Sequence, residues 1–126
     1  MSRWIAFALV VALVLSACRS AQSKPQDAVP PYLRALLAND EDALLRATCP
    51  EWEEEAARDL AAFSGVTGEL QDVRCQAAGT EGDYTLVTCS GTMQINYNGE
   101  LRDRSLEGQT YRVKEVDGDW KMCGYQ

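Results

Sequence analysis

The fold is decided by residues 84–125, which read YTLVTCSGTMQINYNGELRDRSLEGQTYRVKEVDGDWKMCGY. Apolar and polar side chains alternate along most of this stretch, which is the two-residue period of a half-buried β-strand. Asn98-Gly99 and Asp117-Gly118 interrupt the alternation, and such pairs are typical of two-residue type I′ hairpin turns. The stretch therefore predicts three antiparallel strands: residues 84–97, 101–116 and 120–125.

The same period extends upstream, so residues 66–77 predict a fourth strand. Glu81-Gly82-Asp83 suits a three-residue hairpin loop, and that loop length places Cys75 opposite Cys89. On the third strand, Tyr111 has the opposite parity to the residues before Gly108. We therefore expect a bulge near Gly108 that bends the sheet.

Residues 29–38 precede the strands and carry the pattern of an amphipathic helix. Five apolar side chains fall at the spacing of one helix face: Val29, Tyr32, Leu33, Leu36 and Leu37. Asn39-Asp40 ends this helix, and Asp40 is placed to cap a second, short helix over residues 41–47.

A third helix is expected to begin close to Pro50 and to end at Gly65. Thr48 and Glu51 are three residues apart, which fits a capping box. Pro50 in the first helical position would instead make Cys49 the cap. With helices before strands, the fold class is α+β: N-terminal helices packed on a bent four-stranded antiparallel meander, cone-like and with an internal hollow.

The N-terminal segment has the pattern of a targeting signal. Ser2-Arg3 is followed by twelve residues, 4–15, without a charged side chain, which is too short to span a bilayer and fits a signal peptide. Leu15-Ser16-Ala17-Cys18 then resembles the bacterial lipobox. A plain secretory signal with a chance cysteine is the alternative.

The lipobox resemblance implies three segments: a signal peptide over residues 1–17, a lipidated Cys18 with a flexible tether to residue 26, and a domain over residues 27–126. In lipobox proteins the cysteine sulfur receives a diacylglyceryl group, and two or three acyl chains such as palmitate anchor a protein stably. The expected location is the extracytoplasmic side of a cell membrane. Arg19 in place of Asp permits outer-membrane delivery, by resemblance to enterobacterial sorting.

Four cysteines remain after Cys18. An even number outside the cytoplasm indicates two disulfides. The strand register favours Cys75–Cys89, and Cys49–Cys123 is the pair that remains. Free core thiols are an alternative. A Cys₄ metal site is disfavoured because the gaps of 26, 14 and 34 residues lack paired metal-ligand spacing, so no metal is expected.

Net charge and amino-acid composition argue against several classes of function. Twelve Lys and Arg against nineteen Asp and Glu give a net charge of −7, which argues against nucleic acid as a partner. The chain has no histidine, which removes Ser/His/Asp and Cys/His catalysis. We therefore expect no catalytic residue, no cofactor and no enzymatic activity.

Four large aromatic side chains are candidates for a ligand pocket: Tyr32, Trp52, Tyr111 and Trp120. Ordinary core packing is the alternative for all four. The acidic run over residues 51–59 is expected to be a solvated helix face. Arg102 and Arg104 alternate with Asp103 and are expected to form an exposed strand face.

Two segments, residues 32–40 (YLRALLAND) and residues 113–122 (VKEVDGDWKM), resemble the nuclear transport factor 2-like, or cystatin-like, group of secreted bacterial lipoproteins of unknown function. The resemblance implies a membrane-anchored module of the cell envelope that holds a small apolar ligand in its cone. The alternative is an envelope protein-protein interaction module without a ligand. Enzymes of this superfamily place Asp, Tyr or His in the cone, and none is matched here by position.

Overall fold

The computed structural model describes residues 24–126. The predicted signal peptide, Cys18 and most of the tether lie outside these residues. The described chain is α+β, with helices first and an antiparallel sheet after them. The α-helices are α1 (Val29–Ala38), α2 (Glu41–Arg46) and α3 (Glu53–Ala62). The strands are β1 (Thr67–Glu81), β2 (Tyr84–Tyr97), β3 (Glu100–Ser105), β4 (Thr110–Val116) and β5 (Asp119–Tyr125).

The first two helices begin and end where the sequence indicates. All five predicted apolar residues of α1 are buried. The helix ends at Asn39, which adopts a left-handed conformation with φ 51°. The Asp40 side chain accepts a hydrogen bond from the Ala43 backbone N–H at 3.1 Å, so it caps α2 as predicted. Among the helices of residues 24–126, none is long and apolar enough to cross a bilayer.

The predicted capping box before α3 is wrong. Pro50 opens a short 3₁₀ turn with Cys49 as its cap, and α3 itself starts after Trp52. The Thr48 hydroxyl donates to the Leu44 carbonyl at 2.5 Å, so it is turned away from the helix start. The reason is tertiary: Thr48 forms an isolated parallel bridge with Met122 of β5, which fixes this segment against the sheet.

The sheet has five strands, one more than predicted. Its order is β1-β2-β4-β5, and β3 also pairs with β2. Residues 101–116 do not form one strand, because the segment Leu106–Gln109 separates β3 from β4. The register changes by one residue across that break, since Thr92 pairs with Ser105 and Thr88 pairs with Thr110. The parity change expected near Gly108 is therefore present, as a break between strands.

The hairpin between β1 and β2 departs from the prediction twice. Glu81 pairs directly with Tyr84, so the connection has two residues and not three. Farther along β1, a bulge between Ala77 and Gly79 shifts the register back by one residue. Since the two departures cancel, Cys75 still lies opposite Cys89.

Two disulfides join the elements. Cys75–Cys89 links β1 to β2 with the Cα atoms 4.1 Å apart. Cys49–Cys123 links the segment before α3 to β5 with the Cα atoms 4.9 Å apart. The second bridge spans 74 residues and ties the helical layer to the last strand of the sheet.

The core lies between the helices and one face of the sheet. On β2 the odd-numbered side chains face it, as predicted, and four of them are buried: Val87, Cys89, Met93 and Ile95. Tyr97, at the end of the same row, is 43% exposed because the helices do not cover the β2–β3 hairpin. The sheet is thus longer than the helical layer and leaves part of its inner face open.

Candidate functional site

A cavity of about 270 Å³ lies where α1 and α3 meet the sheet. Residues of α1, of the C-terminal part of α3, of the sheet and of the connection between β3 and β4 form its wall. Its lining residues include Tyr32, Asp59, Ala62, Arg104, Tyr111 and Tyr125. The break after β3 helps to form this space, because it replaces a continuous strand with the segment Leu106–Gln109.

Much of the cavity wall is apolar. Leu33 and Leu36 come from successive turns of α1, and Met93 projects from β2. Phe63 and Leu106 complete this part of the wall from the end of α3 and from the segment after β3. Such a surface favours an apolar ligand, since burial stabilises by about 25 cal/mol per Å² removed from water.

The polar part of the cavity centres on Asp59 of α3. The Tyr32 hydroxyl donates to Asp59 Oδ2 at 2.6 Å, and the Tyr125 hydroxyl donates to Oδ1 at 2.7 Å. Burial, and then the hydrogen bond to Asp59, raises the pKa of Tyr32 well above 10.0 and that of Tyr125 to about 12. Both phenols therefore stay protonated at neutral pH and keep the Asp59 carboxylate bonded on both oxygens.

Tyr111 and Arg104 form a second polar group in the wall. Tyr111 is 4% exposed, and burial raises its pKa while the positive charge of Arg104 opposes that rise. Arg104 lies on β3 opposite Met93, whose side chain also lines the cavity. Arg104 is exposed, as the sequence predicts for this strand, and it also contributes to the cavity wall, which the sequence did not indicate.

Two of the four aromatic side chains predicted to line a pocket do line the cavity. Tyr32 and Tyr111 line the cavity, whereas Trp52 and Trp120 do not. Trp52 packs edge-on against Tyr125, with ring centroids 5.6 Å apart, so it lies behind the cavity wall. Trp120 is next to the β4–β5 turn, where it pairs with Glu115 and lies away from the cavity.

Trp52 packs behind the cavity wall and does not itself line the cavity. Its indole N–H is buried and meets no partner in hydrogen-bond geometry within residues 24–126. The same indole lies near enough to Tyr32 to favour the ionised phenol slightly, against the larger effect of burial. A side chain in this position holds the rings of Tyr32 and Tyr125 in place.

The acidic side chains of residues 51–59 also lie in different surroundings. Glu54 and Glu55 pair with Arg58 on the exposed face of α3, at 2.6 and 2.5 Å. Glu51 instead pairs with Lys114 of β4 at 2.6 Å, and this contact lowers the pKa of Glu51. Asp59 faces the cavity, so one member of a run expected to be solvated belongs to the candidate site.

One grouping in the described chain has the composition of a metal site. Cys49, Glu51 and Cys123 bring ligand atoms within 4.8 Å of one another. Because the two sulfurs are joined to each other as a disulfide, they are not thiolates and do not offer the ligands that zinc requires. The grouping is thus explained by the disulfide.

Comparison with known proteins adds little. No protein-family model matches the chain, and no curated protein matches it. One similar solved chain bears the name Rd1NTF2_05, followed by five substitutions. It is 15% identical, with a TM-score of 0.47, over 76% of this chain and 90% of that chain. The α+β architecture described above rests on the helices and strands themselves.

Proposed function

We propose that this protein is a lipid-anchored module of the cell envelope that binds a small, largely apolar ligand in the cavity, and that it does not transform that ligand. The cavity supports the binding role. It has an apolar wall and a few polar groups at defined positions, which is the usual composition of a small-molecule site. Its volume of about 270 Å³ is just below the usual range of such sites, which suits a small ligand.

Ala62 offers a direct test of the binding role. It lines the cavity at the end of α3 and is itself exposed, so a larger side chain there fills the opening without disturbing the core. The neighbouring Ala61 is also exposed and does not line the cavity. Ala62→Trp and Ala61→Trp therefore form a matched pair with the same change in size and composition.

The probe for this pair is the neutral dye N-phenylnaphthylamine, whose fluorescence rises in an apolar environment. We expect the unchanged protein and Ala61→Trp to bind the dye equally, and Ala62→Trp to bind it at least about tenfold more weakly. Equal binding by all three proteins would show that the dye does not enter the cavity. Native mass spectrometry of protein purified from its own membranes is the complementary measurement, in which a bound small molecule is expected.

The anchoring part of the proposal is supported by the sequence around Cys18. Cells of the native host grown with labelled palmitate are expected to label the protein, and Cys18→Ser is expected to abolish both the label and the membrane association. The double variant Cys75→Ser/Cys89→Ser serves as the control, because it removes two cysteines of the domain, breaks the shorter bridge and leaves no unpaired thiol behind. Membrane association that survives Cys18→Ser would contradict the anchor.

One observation favours the alternative of a protein-protein interaction. At the β2–β3 hairpin, Leu101 is 60% exposed and Tyr97 is 43% exposed. Among the described strands, β3 pairs with β2 alone, so its outer edge is available. If this surface is the functional one, Leu101→Asp will abolish crosslinking to an envelope protein while leaving dye binding unchanged.

A further inference from the structure

The cavity contains two groups with hydrogens to donate and no acceptor to receive them. The Tyr111 hydroxyl makes no hydrogen bond within residues 24–126, although the residue is only 4% exposed and lines the cavity. In the same part of the chain, Arg104 forms no ion pair. The fully enclosed side-chain atoms without a partner in this part of the chain are Trp52 Nε1 and Arg112 Nε, so the Tyr111 hydroxyl is open to the cavity. A ligand in the cavity that supplies an acceptor can therefore reach it.

The carboxylate that lines the cavity, by contrast, is already hydrogen-bonded. Each Asp59 oxygen accepts one phenolic hydrogen, from Tyr32 and from Tyr125. These bonds hold the two phenols toward Asp59 and away from a ligand. The groups without a partner within residues 24–126 include two donors, the Tyr111 hydroxyl and the Arg104 guanidinium, and the second carries a full positive charge.

We propose that the ligand is an apolar monocarboxylate, whose carboxylate accepts hydrogen bonds from the Arg104 guanidinium and the Tyr111 hydroxyl while its apolar part lies against Leu33, Leu36 and Met93. This inference rests on the proposed binding function and specifies the ligand class. A planar guanidinium matches the two oxygens of a carboxylate. Because Arg104 is solvent-accessible and Tyr111 is buried, the charged group would lie at the mouth and the apolar part would extend inward.

Charge elsewhere in the molecule opposes this inference and so makes it testable. The chain has a net charge of −7, and Asp59 adds a negative charge inside the cavity. If these charges dominated, the preferred ligand would be a cation held by Asp59. The sign of the ligand's charge therefore distinguishes binding by Arg104 and Tyr111 from binding by Asp59.

Three ligands of equal length and different charge make the comparison: octanoate, octanol and octylammonium, each competing with N-phenylnaphthylamine at pH 7.5. We expect octanoate to displace the dye at least about tenfold more effectively than octanol, and octylammonium to be the weakest. Arg104→Gln is expected to weaken octanoate about tenfold and to leave octanol unchanged. Tyr111→Phe is expected to weaken octanoate several-fold.

Arg102→Gln is the matched control. Arg102 lies two residues earlier on β3, is paired with Glu100 at 3.3 Å, and does not line the cavity. Its replacement is expected to leave octanoate binding unchanged. Equal loss in Arg102→Gln and Arg104→Gln would mean that general surface charge governs binding, and would overturn the inference.

The remaining outcomes separate this inference from the proposed function. If octanol equals octanoate, if octylammonium binds best, or if none of the three displaces a bound dye, the carboxylate is wrong while cavity binding stands. If the dye itself is not bound, or is bound equally by Ala62→Trp, cavity binding fails and the carboxylate fails with it.

Discussion

At the scale of single residues, Asp59 shows where sequence reasoning fails. It belongs to a run of acids that the charge pattern assigns to solvent, yet its partners Tyr32 and Tyr125 are 27 and 66 residues away. One signal was available: Asp59 lies three residues after Ala56 and four before Phe63, and both belong to the packed face of α3. The spacing shows which way Asp59 faces, but the identity of its partners depends on tertiary packing.

Tyr125 gives a prediction that tests the Asp59 network. Its pKa is raised by burial and by the hydrogen bond to Asp59, from 10.0 to about 12. A phenol whose folded-state pKa is raised adds stability that is fully present below pH 10, and that is lost as the pH rises toward 12. We expect Tyr125→Phe to reduce this loss between pH 10 and 12, as measured by the free energy of unfolding in urea.

The control for this experiment is Tyr97→Phe, which removes an exposed phenol at the β2–β3 hairpin. Its loss of stability between pH 10 and 12 should match that of the unchanged protein. If Tyr125→Phe shows that same dependence on pH, the hydrogen bond to Asp59 does not contribute to stability in the way described.

At the scale of elements, two of the three hairpin turns were predictable, whereas the exchange of strand partners along β2 was not. Asn98-Gly99 and Asp117-Gly118 form the expected two-residue turns, because few residue pairs accept positive φ at both positions. Along β2, the neighbouring strand changes from β4 to β3. The sequence indicates this exchange less clearly, through the change in the parity of the apolar residues near Gly108. That change reveals a one-residue irregularity, but it does not reveal whether the strand bulges or breaks.

Gly91 marks the point on β2 where both neighbouring strands change. On one side, β1 has a bulge between Gln71 and Arg74, and on the other side the Leu106 N–H donates to the Gly91 carbonyl just where β3 ends. Gly91 has φ +109°, and an added Cβ would lie 2.7 Å from the Asp72 carbonyl oxygen. The backbones approach each other too closely there for any side chain.

Replacing Gly91 is therefore expected to be costly. We predict that Gly91→Ala lowers the free energy of unfolding by at least about 2 kcal/mol, from backbone strain together with the clash. Gly108→Ala is the control, since Gly108 also has positive φ but an added Cβ meets nothing within 4 Å, so a loss of about 1 kcal/mol is expected. Equal losses in urea denaturation would show that the close approach is unimportant.

At the scale of the whole molecule, the two disulfides constrain the chain to different extents. Cys75–Cys89 closes a loop within one hairpin, with a sequence separation of 14, whereas Cys49–Cys123 joins positions 74 residues apart. The helix-first, sheet-after order that predicted the α+β class also explains the longer bridge, which connects the helical layer to the last strand. The cavity lies between the two layers that this bridge joins.

Loss of the longer bridge should therefore destabilise the protein more. The chain-entropy relation gives about 4.5 kcal/mol for Cys49–Cys123 and about 3 kcal/mol for Cys75–Cys89. We expect the double variant Cys49→Ser/Cys123→Ser to unfold at lower urea concentration than Cys75→Ser/Cys89→Ser. The reverse order would mean that native packing, and not the length of the closed loop, determines the contribution of each bridge.

Binding of a small ligand in the cavity between the helices and the sheet is tested most directly by the two methionines of the domain. Met93 lines the cavity, whereas Met122 is fully buried outside it. With ¹³C-labelled methionine methyl groups, we expect added N-phenylnaphthylamine to shift the Met93 resonance progressively to saturation and to leave the Met122 resonance in place. If an excess of the dye leaves Met93 unmoved, or moves both resonances alike, the dye does not occupy the cavity.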